Sequence, residues 1–200
     1  MEKQIIITIG REFGSGGHAL GKMIAEKYGL KIYDKELLYE VLGEKKVIHV
    51  EDVAQFDEVP RNIWLSKRVR GYSSSPEENI ARMQFDYLEE KAKQGKSFLV
   101  IGRCAEELFR AHPHAVCFFV LGDPDKRREY LKEYFNVPEK DIDAFMEYHE
   151  KRRKAYHNYY CSFKWGDSRA YDMCINASRL GFDKTFEVMV DYIEARIAAM

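Results

Sequence analysis

The feature that most constrains this chain is an apolar run that breaks directly into glycine: QIIITI at 4–9, then GREFGSGGHALG. A β-branched run with little polar alternation suits a central strand covered on both faces. Gly10, Gly14, Gly16 and Gly17 then fall within eight residues. Leu20, Met23, Ile24 and Tyr28 recur at helical spacing, Gly29 supplies a C-cap, and residues 30–33 return as a short strand ending at Asp34. The opening therefore predicts a βαβ unit whose strand-to-helix turn is rich in glycine. In open parallel sheets ligands bind beyond the carboxyl ends of the strands, where this turn sits. Glycines there let the backbone approach an anion, and the N–H groups and positive dipole end of the following helix face it. Phosphate is the expected guest.

The rest of the chain reads as more of the same architecture. Strands are expected at 97–101 (SFLVI), 115–121 (AVCFFVL) and 171–176 (YDMCIN), and none between 35 and 96. Helices are marked by Leu37, Leu38, Val41 and Leu42, by Ile80 through Lys91, by a long stretch over about 124–160, and by Phe186, Met189, Val190, Ile193 and Ile197. Asp123-Pro124 reads as an N-cap with proline at the first helical position, and Pro76 with Glu77 and Glu78 as another helix start after the turn GYSSSP. Five strands alternating with helices predict an α/β fold, a parallel sheet with helices on both faces. At 200 residues this is one domain.

Composition narrows the function. With 32 basic against 33 acidic residues the net charge is -1, so no basic excess announces nucleic acid or an acidic membrane, and any anion site must be local. No apolar stretch approaches the roughly 20 residues of a membrane span, and the N-terminus lacks a signal-peptide core, so a soluble, cytoplasmic protein is expected. Cys104, Cys117, Cys161 and Cys174 are widely spaced and show no C-x-x-C pair, which predicts reduced, largely buried thiols and assigns no metal ligand. His112-Pro113-His114 reads as a turn.

The loop departs from the strict pattern G-x-x-x-x-G-K-[ST], in which the lysine reaches the outer phosphates and the hydroxyl holds Mg²⁺. With Gly14-Ser15-Gly16 set on the G-S-G of nucleoside monophosphate kinases, Gly17 stands at the lysine and Ala19 at the following threonine. The positive charge must come from elsewhere: Arg11 inside the loop is the nearest candidate, with His18 behind it. A second reading treats Gly10, Gly14 and Gly16 as the dinucleotide loop of an NAD(P)-binding dehydrogenase, with Asp34 as the ribose acid and Tyr87 with Lys91 as the Tyr-x-x-x-Lys pair.

The loop ITIGREFGSGGHALG, the segment IYDKELL, the strand end VIGRCAEEL and the stretch KWGDSRAYDMCINASRLGFDK together resemble the cytidylate kinase-like family of P-loop proteins, across nearly the whole chain. In that family R-E-[FY]-G-S-G-G is the form of the loop, with glycine in place of lysine. The resemblance implies a P-loop nucleoside triphosphate hydrolase-like three-layer fold with a five-stranded parallel sheet, a helical substrate-binding insertion over about 40–95, and an arginine-bearing lid over about 136–165. It implies an ATP-dependent, Mg²⁺-requiring phosphotransferase acting on a nucleoside monophosphate or another small phosphate acceptor. Phosphate or nucleotide binding falls to Gly10, Arg11, Glu12, Gly14, Ser15, Gly16, Gly17 and His18. Asp34 and Arg103 match acceptor-binding positions. The acid that follows the arginine in cytidylate kinases is Cys104 here, and their late I-D-T-S is Ile175-Asn176-Ala177-Ser178, so nucleoside specificity does not transfer.

In phosphoryl transfer the moving group carries spreading negative charge, which arginines arriving on lid closure stabilise. Arg152 and Arg153, inside Glu150-Lys151-Arg152-Arg153-Lys154, are therefore candidate catalytic cations with Arg11 and Arg103; Arg127 and Arg128 could face the same space. Glu12 inside the loop either holds Mg²⁺ or orients Arg11. The missing lysine, threonine and acid leave a second class open, a nucleotide- or anion-binding module without efficient transfer. Homo-oligomerisation also stays open.

Overall fold

The computed structural model describes residues 4–44, 59, 68–69 and 72–200. Strand β1 (Ile6–Arg11), helix α1 (Gly17–Tyr28), strand β2 (Lys31–Tyr33) and helix α2 (Leu37–Glu44) come first, then a hairpin of β3 (Arg68–Val69) and β4 (Tyr72–Ser73). Helix α3 (Pro76–Lys93), β5 (Phe98–Ile101), α4 (Ala105–Phe109), β6 (Ala115–Leu121) and α5 (Pro124–Phe135) follow. The chain ends with α6 (Ile142–Tyr160), β7 (Met173–Asn176), α7 (Ala177–Leu180) and α8 (Phe182–Ala199). Five strands form one sheet in the order β2-β5-β1-β6-β7, all parallel.

The continuous apolar run at the start makes sense in the middle of this sheet. Ile5, Ile7 and Ile9 pack with Leu20 and Ile24 of α1 and Met189 and Ile193 of α8 on one face. Ile6 points the other way, with Phe98 and Val100, into Leu37, Val41, Leu88 and Phe109. Alternate side chains of one strand thus serve two cores, as the period of two requires when both faces are covered. The register aligns the carboxyl ends: Ile9 sits beside Ile101, Arg11 beside Val120 and Leu121 beside Asn176. The glycine loop, Gly102-Arg103, Gly122-Asp123 and Asn176 consequently share one edge of the sheet.

Several expectations change. Arg11 belongs to β1, paired with Val120, rather than to the loop. The hairpin β3–β4 adds two short strands where none was expected. The helical region over 124–160 is two helices, separated by Asn136 in the left-handed conformation (φ 52°) and Pro138, which ends a helix by lacking a donor. Asp123 stands at the N-cap of α5 without capping through its side chain; its carboxylate takes Asn176 Nδ2 at 2.8 Å and Arg179 Nε at 2.8 Å. Cys104 and Cys117 are buried as expected, but Cys161 is only partly so and Cys174 is exposed. Of the expected insertion over about 40–95, residues 45–58, 60–67, 70 and 71 lie outside the described residues. The dehydrogenase reading fails on topology: β5 lies between β1 and β2, whereas dinucleotide folds place the second strand next to the first. Its Tyr-Lys pair is a packing contact, with Lys91 Nζ 4.5 Å from the centre of the Tyr87 ring.

Candidate active site

The loop between β1 and α1 is shaped by glycine where side chains are forbidden. Gly14 (φ 80°) and Gly16 (φ 79°) are both left-handed. Gly16 is the N-cap of α1, and among the described residues no side-chain hydrogen bond caps that helix, so its first N–H groups can take a ligand. Ser15 closes the loop from inside, its hydroxyl donating to the Glu12 carbonyl at 2.9 Å. Gly10 lies deeper, where an added Cβ would meet the rings of Phe119 and Tyr171 at 2.8 and 3.0 Å, and it lines the cavity shared by Arg11 and Arg103.

Glu12 lines the cleft beside the loop, but its carboxylate is engaged. Its Oε2 accepts from the Gly122 N–H at 3.0 Å and lies 3.4 Å from Arg127 Nη1. Arg127, only 5% exposed, also donates from Nε to the Phe13 carbonyl at 2.8 Å and pairs with Glu150 of α6. It therefore braces the loop against α6 instead of facing the cleft, a role the sequence reading missed. Arg128 is on the surface, held by Asp125 and Asp143.

Three of the expected arginines do converge. Arg11 leaves β1 and lays its guanidinium over Gly102: a Cβ there would sit 2.1 Å from Arg11 Nη1. Arg103 is 2% exposed and donates from Nε to the Asp34 carbonyl at 3.2 Å. Gly102, Arg103 and Cys104 have φ of 77°, 60° and 54°, a left-handed run that turns Arg103 back under the sheet end; two of these residues carry a Cβ that resists it. Arg153 of α6 lies 5.0 Å over the Phe13 ring, and Phe13 stacks on His149. Arg11, Arg103 and Arg153 line one small cavity together. Arg152 lines none of the cavities at this edge and lies 5.8 Å over Tyr148 of its own helix.

His18 and Asp34 form the opposite wall, His18 Nε2 2.8 Å from Asp34 Oδ2. Burial would raise the Asp34 carboxyl, yet the Glu36 N–H, His18 and Arg103 together hold it below the usual carboxylate range. A cleft of about 300 Å³ lies between them, lined by Arg11, Gly14, Gly16, Gly17, His18, Asp34 and Arg153. A second cleft of about 310 Å³ opens on the other side of the loop, walled by Tyr130, Tyr134, Ser178 and Phe182. The loop thus stands between two clefts, one cationic and one aromatic.

Gly17, at the position of the missing lysine, explains that absence. A Cβ there would lie 2.7 Å from Arg11 Cβ and 3.3 Å from Val120 Cβ. The stem of Arg11 occupies the space a side chain at 17 would need.

An all-parallel sheet in this strand order, with a glycine loop between its first strand and first helix, defines an α/β protein of the P-loop kinase fold. Solved structures agree on the fold. A shikimate kinase from Bacteroides thetaiotaomicron, 14% identical, superposes with a TM-score of 0.56 over 95% of this chain and 98% of that one. A shikimate kinase from Acinetobacter baumannii in complex with shikimate, 10% identical, gives 0.51 over 97% and 95%. The chain itself belongs to the cytidylate kinase-like family, whose profile matches residues 6–179. An uncharacterized protein from Eubacterium ventriosum is 37% identical over 96% of this chain and 99% of that one, with a TM-score of 0.76. No curated protein matches the chain in sequence. Among the described residues no helix is long and apolar enough to cross a membrane.

Proposed function

We propose that the protein is an ATP-dependent phosphotransferase that moves a phosphoryl group to a nucleoside monophosphate or another small phosphate acceptor. The observation that carries this is the convergence of Arg11, Arg103 and Arg153, from β1, the end of β5 and α6, around one cavity beside the glycine loop. Three cations from separate elements suit a group whose negative charge spreads as it transfers.

The donor's phosphates fit the cradle of Gly14, Gly16 and the uncapped start of α1, and its base fits the aromatic cleft of Tyr130, Tyr134 and Phe182. ATP would supply the phosphoryl group. The acceptor phosphate takes the cationic cleft lined by Arg11, Asp34 and Arg153, with Arg103 bonded to the Asp34 carbonyl beside it. An acceptor phosphate is already ionised and needs no general base, which suits a cleft whose carboxylates, Glu12 and Asp34, are both engaged. Among the described residues, the loop itself offers Mg²⁺ no open ligand: Ala19 has no hydroxyl, Ser15 is turned to the loop carbonyl, and Glu12 is held by Arg127. Mg²⁺ enters this reading only as the companion of the nucleotide's own phosphates.

A coupled ADP-release assay with ATP and Mg²⁺ over CMP, dCMP, UMP, AMP, GMP and non-nucleotide acceptors tests the proposal. Arg11→Ala and Arg103→Ala should each lower turnover about 100-fold or more while the fold persists; unchanged turnover in both would overturn the site. A second reading, a nucleotide- or anion-binding module without efficient transfer, is favoured by Gly17 at the lysine position. Nucleotide-induced stabilisation with no ADP release over the whole panel would select it.

A further inference from the structure

The cavity that Arg11, Arg103 and Arg153 line is also lined by two groups, Glu106 and His157, to which the phosphotransfer reading gives no role. Glu106, in the first turn of α4, is 3% exposed; His157, in the last turn of α6, is 5% exposed; Cys161 is the C-cap of α6. His157 Nε2 is 2.5 Å from Glu106 Oε1, and Tyr171 Oη lies 3.4 Å from the same oxygen. One ligand atom from each of Glu106, His157 and Cys161 lies within 4.8 Å of the others. His157 Nδ1 has no hydrogen-bond partner among the described residues, while Nε2 meets the Glu106 carboxylate.

We propose that Glu106, His157 and Cys161 form a binding site for Zn²⁺ that fastens the end of α6 to the turn after β5. Thiolate, imidazole and carboxylate are the ligand types zinc takes, and a thiolate with an imidazole selects against Mg²⁺ and Ca²⁺. Bonds of about 2.0–2.3 Å place the ligands of a tetrahedral zinc roughly 3.5 Å apart. The His157–Glu106 pair therefore opens by about 1 Å and the widest pair closes by about as much, within the reach of side-chain torsions. His157 and Cys161 are four residues apart, on one face of the helix end. Glu106 and His157 border the same cavity of about 30 Å³ that Arg11, Arg103 and Arg153 line, where about 10–15 Å³ suffices for a water as fourth ligand.

The test is metal content and cobalt spectroscopy of the full chain. Protein saturated with Zn²⁺ and desalted should retain about one Zn²⁺ per chain, and Co²⁺ should give thiolate-to-cobalt charge-transfer absorption. Cys161→Ser should weaken Zn²⁺ binding roughly 100-fold, whereas Cys174→Ser, at an exposed position on β7, should leave it unchanged. Retention of no zinc and absence of the cobalt band would overturn the proposal, as would a folded Cys161→Ser protein that binds Zn²⁺ as tightly as the parent. Should that variant not fold, alkylation of the parent decides: protection of Cys161 by Zn²⁺ supports the site, and unchanged labelling refutes it.

Discussion

Restoring the lysine that a strict P-loop requires should harm this protein, because the structure has already filled the space. At Gly17 an added Cβ comes within 2.7 Å of Arg11 Cβ and 3.2 Å of Arg11 Cγ, with Val120 Cβ at 3.3 Å behind. The nearest atom is fixed to a sheet backbone and cannot swing aside, so the contact is relieved only by moving α1 or β1. Overpacking of this kind costs about 1–3 kcal/mol, and exchanging glycine for alanine in a helix returns at most about 1 kcal/mol. Gly17→Ala should therefore lose about 1–2 kcal/mol. At roughly 2–4 °C per kcal/mol for a domain of this size, its melting temperature should fall by about 2–8 °C. Gly17→Lys should fall at least as far and, on the proposed function, should not raise turnover, since its stem needs the space that the Arg11 stem fills. Thermal unfolding of both variants and ADP release by Gly17→Lys are the measurements. A Gly17→Lys protein as stable as the parent, with higher turnover, would refute the idea that Arg11 stands in for the lysine.

Arg127→Met should lose about 3–5 kcal/mol, read by urea unfolding, because it leaves Glu12 and Glu150 without their shared buried cation. Arg153→Ala should lower turnover about 100-fold while Arg152→Ala changes it little, since only Arg153 lines the clefts. The Asp34 carboxyl is held below its unfolded value of about 3.9. Its contribution is thus fully present above about pH 4 and is lost as pH falls through the lower folded value. The stability gap between parent and Asp34→Asn should narrow on acidification below about pH 4, and a gap that widens there would contradict the assignment.

The sheet was legible because its strands carry apolar residues on both faces, and the loop because glycine has few other reasons to cluster after a buried strand. Arg127 was not legible in its true role: nothing in Asp123-Pro124-Asp125-Lys126-Arg127 says which basic residue turns inward, and only the distance from Phe13 and Glu150 decides it. The break at 136–138 carried a visible signal in Asn136 and Pro138, which the helical periodicity around it masked. Glu106, His157 and Cys161 share only one local cue, the four-residue spacing of His157 and Cys161; their third member is 51 residues away from His157.

The same contacts bear on how α6 works. An arginine that arrives on lid closure must travel, yet α6 is tied to the core at two points: Glu150 to Arg127, which also holds Glu12 and the Phe13 carbonyl, and His157 to Glu106. Swinging the whole helix outward would strand buried charges at both, and breaking one such pair costs about 3–5 kcal/mol. Arg153 lies between the two ties, four residues from His157 and three from Glu150, so it is held over the cleft before any substrate enters. On the proposed function, an arginine held in this way would stabilise the transferring group without reorganisation at the moment of reaction. Glu150→Gln removes one tie without touching the cleft, and should raise deuterium exchange through the middle of α6 and lower kcat more than it raises KM. Parental exchange and parental kcat in that variant would show that Arg153 owes its position to something else.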